Sequence, residues 1–515
     1  MVAVVTEKIE FSYKKLMEKV KDLFVFQSIE SIISWDMETM MPPKAIQLRS
    51  QQLALISRIT HKMITDPEIG NLLEKIRQHP EHDELDEVQK RNVYLIKKDF
   101  DEQTKLPEEL VAEIAKQQAI TVDVWKKAKV AKDFSIFRPE LEKIVDLKKK
   151  AAEILMKVKE TATPYDALID SFEPKMTTET ITRVFDQLRE GLALILKKCG
   201  TASKQPDIRS LWRKVPINAQ RQVAKALAET VGYDVISKNA GGRIDETEHP
   251  FAAGYYDDVR LTTHYYEHNF TSSIFSVLHE AGHAMYEQNL NPEWMYQPVG
   301  TACSSGFHES QSRFVENIVG RSRDFWVYFL PKLKEIAGND LTDIDLDSLV
   351  HAINEVRPSK IRIEADEVTY CLHIIIRFDI ERDLFAEKIM VKELPEIWNQ
   401  KYKESLGINV ENDSEGVMQD THWASGLYGY FPSYALGNIY GGQILMAMEK
   451  DRPDWRKQLS IGNFRDIKEW LIKNVYSCGN LYDPADLIKK VTGEELNVKP
   501  YLNYLSTKYS ELYGF

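Results

Sequence analysis

Cysteine is scarce in this chain. Four residues in 515, Cys199, Cys303, Cys371 and Cys478, lie far apart and form no CxxC pair. That argues against a disulfide framework or a cysteine-built zinc site and fits a reducing compartment. Long apolar runs are also missing: the stretches around 192–196 and 374–376 soon meet charge, so nothing is expected to span a membrane. The first 21 residues hold no apolar segment followed by a small-residue cleavage site, so no signal peptide is expected. A basic excess is absent as well. The formal net charge of −12 argues against a nucleic-acid binder that relies on a general positive field. No internal repeat and no low-complexity tract is visible.

What is present is ordinary for a globular protein: 43% hydrophobic and 28% charged residues, with ample chain for a large core. Apolar positions recur at helical spacing over 7–34, and helices are predicted over 47–62, 84–100, 108–129, 140–160 and 177–199. Pro107 and Pro139 are read as helix openers, and Gly200 as a stop. Met40, Met41 and Trp35 are read as core. Residues 235–270 change texture, with Gly241, Gly242, Gly254, paired tyrosines and many Thr and His, and read as loops with a few short strands. The segment 431–442 is again rich in glycine and aromatics. The expected fold is all-α, with a small antiparallel sheet near 235–270. A length of about 150 residues per domain would divide the chain three or four ways, but long helical enzymes also form one intertwined body.

The decisive string is His279-Glu280-Ala281-Gly282-His283. Residues four apart share a helix face, so His279 and His283 can hold one divalent ion together. Glu280, about 100° around from His279, can reach water activated there and act as general base. Thr271, Ser272 and Ser273 offer N-caps upstream. Gly282 costs roughly 1 kcal/mol relative to alanine in a helix interior, which suggests a packing or a substrate reason; Ala281 and Gly282 are small enough for close approach by another segment. A catalytic zinc site needs a third protein ligand. The pattern that places a glycine at 286 and a histidine at 289 is excluded by Tyr286 and Asn289. Glu309, 26 residues past His283, suits a second helix, with Arg313 one turn on to orient its carboxylate; His308 and Glu316 are rivals.

Other strings join this one in order: His249-Pro250-Phe251, Asp258-Val259-Arg260-Leu261-Thr262, His308-Glu309-Ser310, Ile361-Arg362-Ile363-Glu364-Ala365-Asp366, and Gly416-Val417-Met418-Gln419-Asp420-Thr421-His422-Trp423. Trp35-Asp36 with Thr39-Met40-Met41-Pro42, and Pro164-Tyr165-Asp166-Ala167-Leu168, add to them. With these motifs the chain resembles the thermostable, Taq-type metallocarboxypeptidases over nearly its whole length, and through them the helical peptidases of the neurolysin and angiotensin-converting-enzyme kind.

The resemblance implies a two-lobed helical fold with a long cleft: a single intertwined catalytic unit over 1–515, helices of 1–200 roofing the cleft, and a catalytic core with the metal site in 235–440. It implies removal of single residues from peptide C-termini with broad specificity, zinc or cobalt as the metal, and a cytoplasmic homodimer. Residue by residue, it makes His279, His283 and Glu309 the ligands, Glu280 the general base, Arg362 the clamp for the substrate's terminal carboxylate with Arg260 near the same region, and His422 and Tyr434 donors at the reacting carbonyl or carboxylate. Spacing alone leaves other readings open. Arg362 also suits an i,i+4 pair with Asp366, and His422 and Tyr434 also suit a buried aromatic core. His249, His264 and His268 read as loop structure or cleft lining. Two rivals remain: an oligopeptidase that cuts internally, and a non-catalytic helical scaffold that binds metal.

Overall fold

The computed structural model describes residues 8–515. Helices dominate, beginning with Ile9–Thr39, which ends ahead of Met41 and Pro42. Its buried positions Leu16 and Val20 join Ile69, Leu72, Leu73 and Ile76 of the helix Pro67–Gln78, and Val93 and Ile96 of Glu87–Lys105, in a small core of their own. A much larger core runs from Ala128 to Tyr513 and contains most of the protein's other buried apolar side chains.

Several boundaries differ from the sequence expectation. The helix expected to open at Pro139 begins at Phe134, because the Asp133 side chain accepts from the Ser135 backbone N–H and caps it there. Pro139 sits inside Phe134–Lys159, past its first turn, and has no N–H to offer the Ser135 carbonyl. Gly200 does not stop its helix, which continues to Thr201. Met40 is 53% exposed and is not core, whereas Trp35 is 3% exposed and is.

The sheet falls where the change of texture placed it, but it is mixed. β1 (Ile244–Glu246) pairs parallel with β3 (Asp258–Thr263), and β2 (Ala252–Tyr255) pairs antiparallel with β3 on its other side. The Ile244 and Ala252 positions both face Leu261. Central β3 lies against the helix Phe270–Gln288, which carries His279, Glu280 and His283. That helix starts at Phe270 with Asn269 as its cap residue, so Thr271, Ser272 and Ser273 occupy its first turn instead of capping it. Ser273 donates to Gln220 and to the Phe270 carbonyl.

The glycine-rich stretch from 431 is a long buried helix, Phe431–Asp451. It and Phe270–Gln288 both lie against the helix Ser305–Arg313, which carries Glu309. The contacts are too close for side chains. A methyl group on Gly282 would lie 2.5 Å from the Gln311 carbonyl oxygen and 2.6 Å from Ser312 Cα. One on Gly437 would lie 2.8 Å from Glu309 Cγ and 2.9 Å from its Cβ. The helical cost of Gly282 thus has a packing reason: backbone meets backbone one turn from Glu309.

Gly282→Ala would gain roughly 1 kcal/mol of helix propensity and lose about 1–3 kcal/mol to overpacking against immovable backbone. Net destabilisation in urea or thermal unfolding is expected, and a variant as stable as the parent would remove this packing account.

Candidate metal centre

Glu309 is brought to the histidines by the glycine contacts just described. One ligand atom from each of His279, His283 and Glu309 falls within 4.8 Å of the other two. Both Nε2 atoms face the same carboxylate oxygen: His279 at 3.7 Å and His283 at 3.4 Å from Glu309 Oε2. The other Glu309 oxygen accepts from Arg313 Nε at 2.7 Å, and Ser312 Oγ donates to Oε2 at 3.1 Å. Neither rival joins the set. His308 turns its Nε2 to Glu287 at 2.9 Å. Glu316 holds the outer nitrogen of His279, Nδ1, at 2.9 Å, the carboxylate–histidine arrangement that fixes a ligand ring and its tautomer. Glu316 projects from Phe314–Val319, a π-helical turn of the kind that recurs at functional sites. Its oxygens also accept from Arg313 Nη1 and Arg321 Nη2, each at 3.3 Å.

The electrostatics suit a cation. Burial alone would raise the Glu309 carboxyl, but Arg313 and the two histidines hold it well below the usual range. Burial likewise opposes ionisation of Glu316, yet Arg313 and His279 bring it down to about 2. Burial pushes His283 down to about 3, leaving a neutral imidazole with a lone pair to give. His279 goes the other way. Burial disfavours its charge, but Glu309 and Glu316 on either side outweigh that and raise it. Two ionised carboxylates around one imidazole attract positive charge, and a divalent ion satisfies the same attraction. Glu280 stands beside them, 6% exposed, with Oε2 unpaired, its carboxyl pushed by burial up to about 7. Two imidazole nitrogens and one carboxylate oxygen, with a second carboxylate behind one ring, match a catalytic divalent-metal donor set.

His279, Glu280 and Glu309 line a cavity of about 770 Å³ that also takes in Arg313, Arg362 and Tyr434. Arg362 lies in a 3₁₀ turn and does not pair with Asp366. Asp366 is spent on the backbone N–H groups of Arg357, Val368 and Thr369. Arg362 is held instead by Asp420, whose Oδ1 accepts from Nε at 3.0 Å and Nη2 at 2.9 Å, while Nη1 donates to Tyr370 at 3.1 Å. Three of its five N–H donors are therefore engaged. One remains on each terminal nitrogen, which is what two carboxylate oxygens require. Behind it, fully buried Arg377 takes the other Asp420 oxygen at 2.6 Å and the Gln419 side chain at 2.8 Å.

Tyr434 and His422 meet at 3.3 Å between the hydroxyl and Nε2. Tyr434 lines the cavity; His422 lies behind it against Phe431, and burial lowers it to about 4, so it is neutral. Arg260 is elsewhere. It makes two 2.7 Å bonds to Asp258, lies over the Trp35 ring at 4.7 Å, and lines a separate cavity with the first helix. His264 bonds the Thr247 carbonyl and is loop structure. Among the residues the sequence did not assign, Asp420, Arg377 and Gln419 carry the Arg362 support. Their signal was the Gln419-Asp420 pair inside a motif, but Arg377, on a buried helix outside every motif, gave none.

Asp420→Asn keeps the volume but leaves two buried guanidinium groups without their carboxylate. A loss of about 3–5 kcal/mol in folding stability is expected. Arg377 and Arg362 hold the Asp420 pKa below its ordinary 3.8. Its contribution is thus complete above that pH and declines as pH falls beneath it. The variant's acid-unfolding curve should be correspondingly flatter there; an unchanged curve and stability would contradict the assignment.

The profile of the family described as carboxypeptidase Taq (M32) metallopeptidase matches residues 15–509. Carboxypeptidase 1 of Bacillus subtilis is 38% identical over 501 residues, covering 97% of this chain and 98% of that protein. Thermostable carboxypeptidase 1 of Thermus thermophilus is 38% identical over 513 residues, covering 98% and 99%. Among solved structures, the M32 carboxypeptidase of Deinococcus radiodurans superimposes with a TM-score of 0.94 at 34% identity, covering 98% of this chain and all of that one. A helical chain with this donor set, matched from end to end, belongs to the carboxypeptidase Taq (M32) family of metallopeptidases.

Proposed function

We propose that this metallocarboxypeptidase holds its divalent ion on His279, His283 and Glu309 and cuts one residue at a time from peptide C-termini of broad sequence. The observation that carries the reading is one cavity lined both by His279 and Glu309 of the donor set and by an arginine with two unspent donors. A divalent ion held by His279, His283 and Glu309 would supply Lewis acidity for a carbonyl and would make water acidic enough to attack near neutral pH. Glu280, with a free oxygen, takes the proton of the attacking water and returns it to the leaving amine. The Tyr434 hydroxyl donates to the developing oxyanion, and His422 steadies that hydroxyl from behind. Arg362 fixes the terminal carboxylate and so sets where the chain is cut. Arg260 has no part in this scheme, since it lines a different cavity.

Zinc is the proposed metal, with cobalt as a substitute, because two imidazoles and one carboxylate suit both better than the oxygen-seeking magnesium or calcium. The four cysteines are buried and unbonded, which supports a cytoplasmic setting. No helix among the described residues is long and apolar enough to cross a membrane. The chain is read as one intertwined, two-lobed unit with a long cleft. Residues 235–440 carry the metal site and helices of 1–200 roof it. A cavity of about 690 Å³ between Leu23, Phe24 and Ile96 on one side and Ser305 and His308 on the other supports the roof. A homodimer completes the proposal on the strength of the resemblance.

Glu280→Gln should abolish turnover while one metal per chain remains by elemental analysis, and a chelator should silence the parent enzyme. Turnover surviving either treatment would remove the mechanism. C-terminal amidation of a peptide should stop its digestion, and Arg362→Ala should raise KM for the free acid by 10-fold or more, about 1.4 kcal/mol or greater. Cleavage of the amidated peptide internally at full rate would instead favour the oligopeptidase reading.

A further inference from the structure

The two ligand imidazoles are not held alike. His279 gives its outer nitrogen to Glu316. His283 has no such partner: its Nδ1 is buried and makes no hydrogen bond among the described residues. A ligand ring without that bond needs something else to set its plane. The ring against it is His308, stacked at 4.4 Å between centroids with only 18° between planes. On its other flank His283 meets His279 edge-on, at 4.9 Å and 82°.

His308 is itself pinned. Its Nε2 bonds Glu287 Oε1 at 2.9 Å, and its ring lies 5.7 Å from fully buried Tyr286. Glu287 is four residues after His283, so both project from the same face of one helix. A side chain bonded to Glu287 is thereby carried back over His283. His308 also directly precedes Glu309 in its own helix. The Glu287–His308 bond therefore joins the helix of two ligands to the helix of the third, one residue from the third.

Resting on the ligand assignment above, we infer that His308, braced by Glu287, is a positioning residue for the metal: it fixes the His283 ring by stacking, in place of the hydrogen bond that ring lacks. The contact that matters is the face of a flat ring, so a phenyl group should replace it and a methyl group should not.

The test measures metal affinity, not turnover. Apo-protein is titrated with zinc against a chromophoric chelator, the visible spectrum of the cobalt form is recorded, and thermal melts of the apo-proteins check folding. His308→Ala should bind zinc about 10–100-fold more weakly, with an altered cobalt spectrum and an apo melt close to the parent's. His308→Phe should recover most of the affinity and the parent spectrum. Glu287→Ala should weaken zinc in the same direction through the loosened ring. His308→Ala binding zinc as the parent does would overturn the inference, and so would His308→Phe binding as weakly as His308→Ala with both apo folds intact. A parent protein that takes up no zinc would sink the ligand assignment itself, and the inference with it. That outcome is distinct from a parent that binds and a variant that does not differ.

Discussion

The site depends on how closely three helices can approach. Glu309 reaches the two histidines only because Ser305–Arg313 lies between two helices that present glycine to it, Gly282 on one side and Gly437 on the other. At Gly282 the neighbour is backbone, which cannot swing aside, so the spacing between ligand helices is set by hard atoms instead of by adjustable side chains. The position of a carboxylate within a few ångströms of two imidazoles is therefore a property of the core. Three acids, Glu280, Glu309 and Glu316, are gathered there at a desolvation cost that packing must offset.

Charge is distributed so that one acid is set apart from the other two. Arg313 bonds Glu309 and Glu316 and holds both ionised, while Glu280, which receives no such bond, is the one whose carboxyl rises toward neutrality. A proton-transferring group beside permanently charged partners arises from where one guanidinium points. The same economy appears at the other end of the cavity. Asp420 takes Arg362 on one oxygen and Arg377 on the other, so the arginine that lines the cavity is aimed while two of its donors stay unspent. Both networks are rigid because their members are buried and paired, which is the preorganisation that binding a fixed carboxylate and a fixed carbonyl requires.

Much of the chemistry is local and so can be read along the chain. His279, Glu280 and His283 share a turn, and Arg313 lies one turn from Glu309, so helix geometry alone predicts that these groups meet. The helical class follows from apolar periodicity, and a structurally unusual region near 235–270 from its glycines and tyrosines. Errors came where local cues compete. Pro139 looked like a helix start, but Asp133 caps earlier. The stretch from 431 is rich in glycine and still helical, because its glycines make room for neighbouring helices instead of forming turns. The sheet was expected to be antiparallel, yet β1 joins parallel because the return from β1 is made by β2, which pairs on the far side of β3.

By itself the sequence determined which residue types could bind an ion and polarise a peptide, and on which helices they stand, because those relations span one or two turns. Tertiary structure alone decided which acid takes which place. Glu309, Glu316 and His308 are near neighbours in one segment, and only the crossing of that segment with Phe270–Gln288 sends the first to both inner nitrogens, the second to an outer nitrogen and the third to Glu287. It also decided that Arg362 answers to Asp420, 58 residues on, and not to Asp366 one turn away. Long-range partners of this kind are set by packing across the core, and nothing in the spacing of a single strand of sequence encodes the distance between two helices.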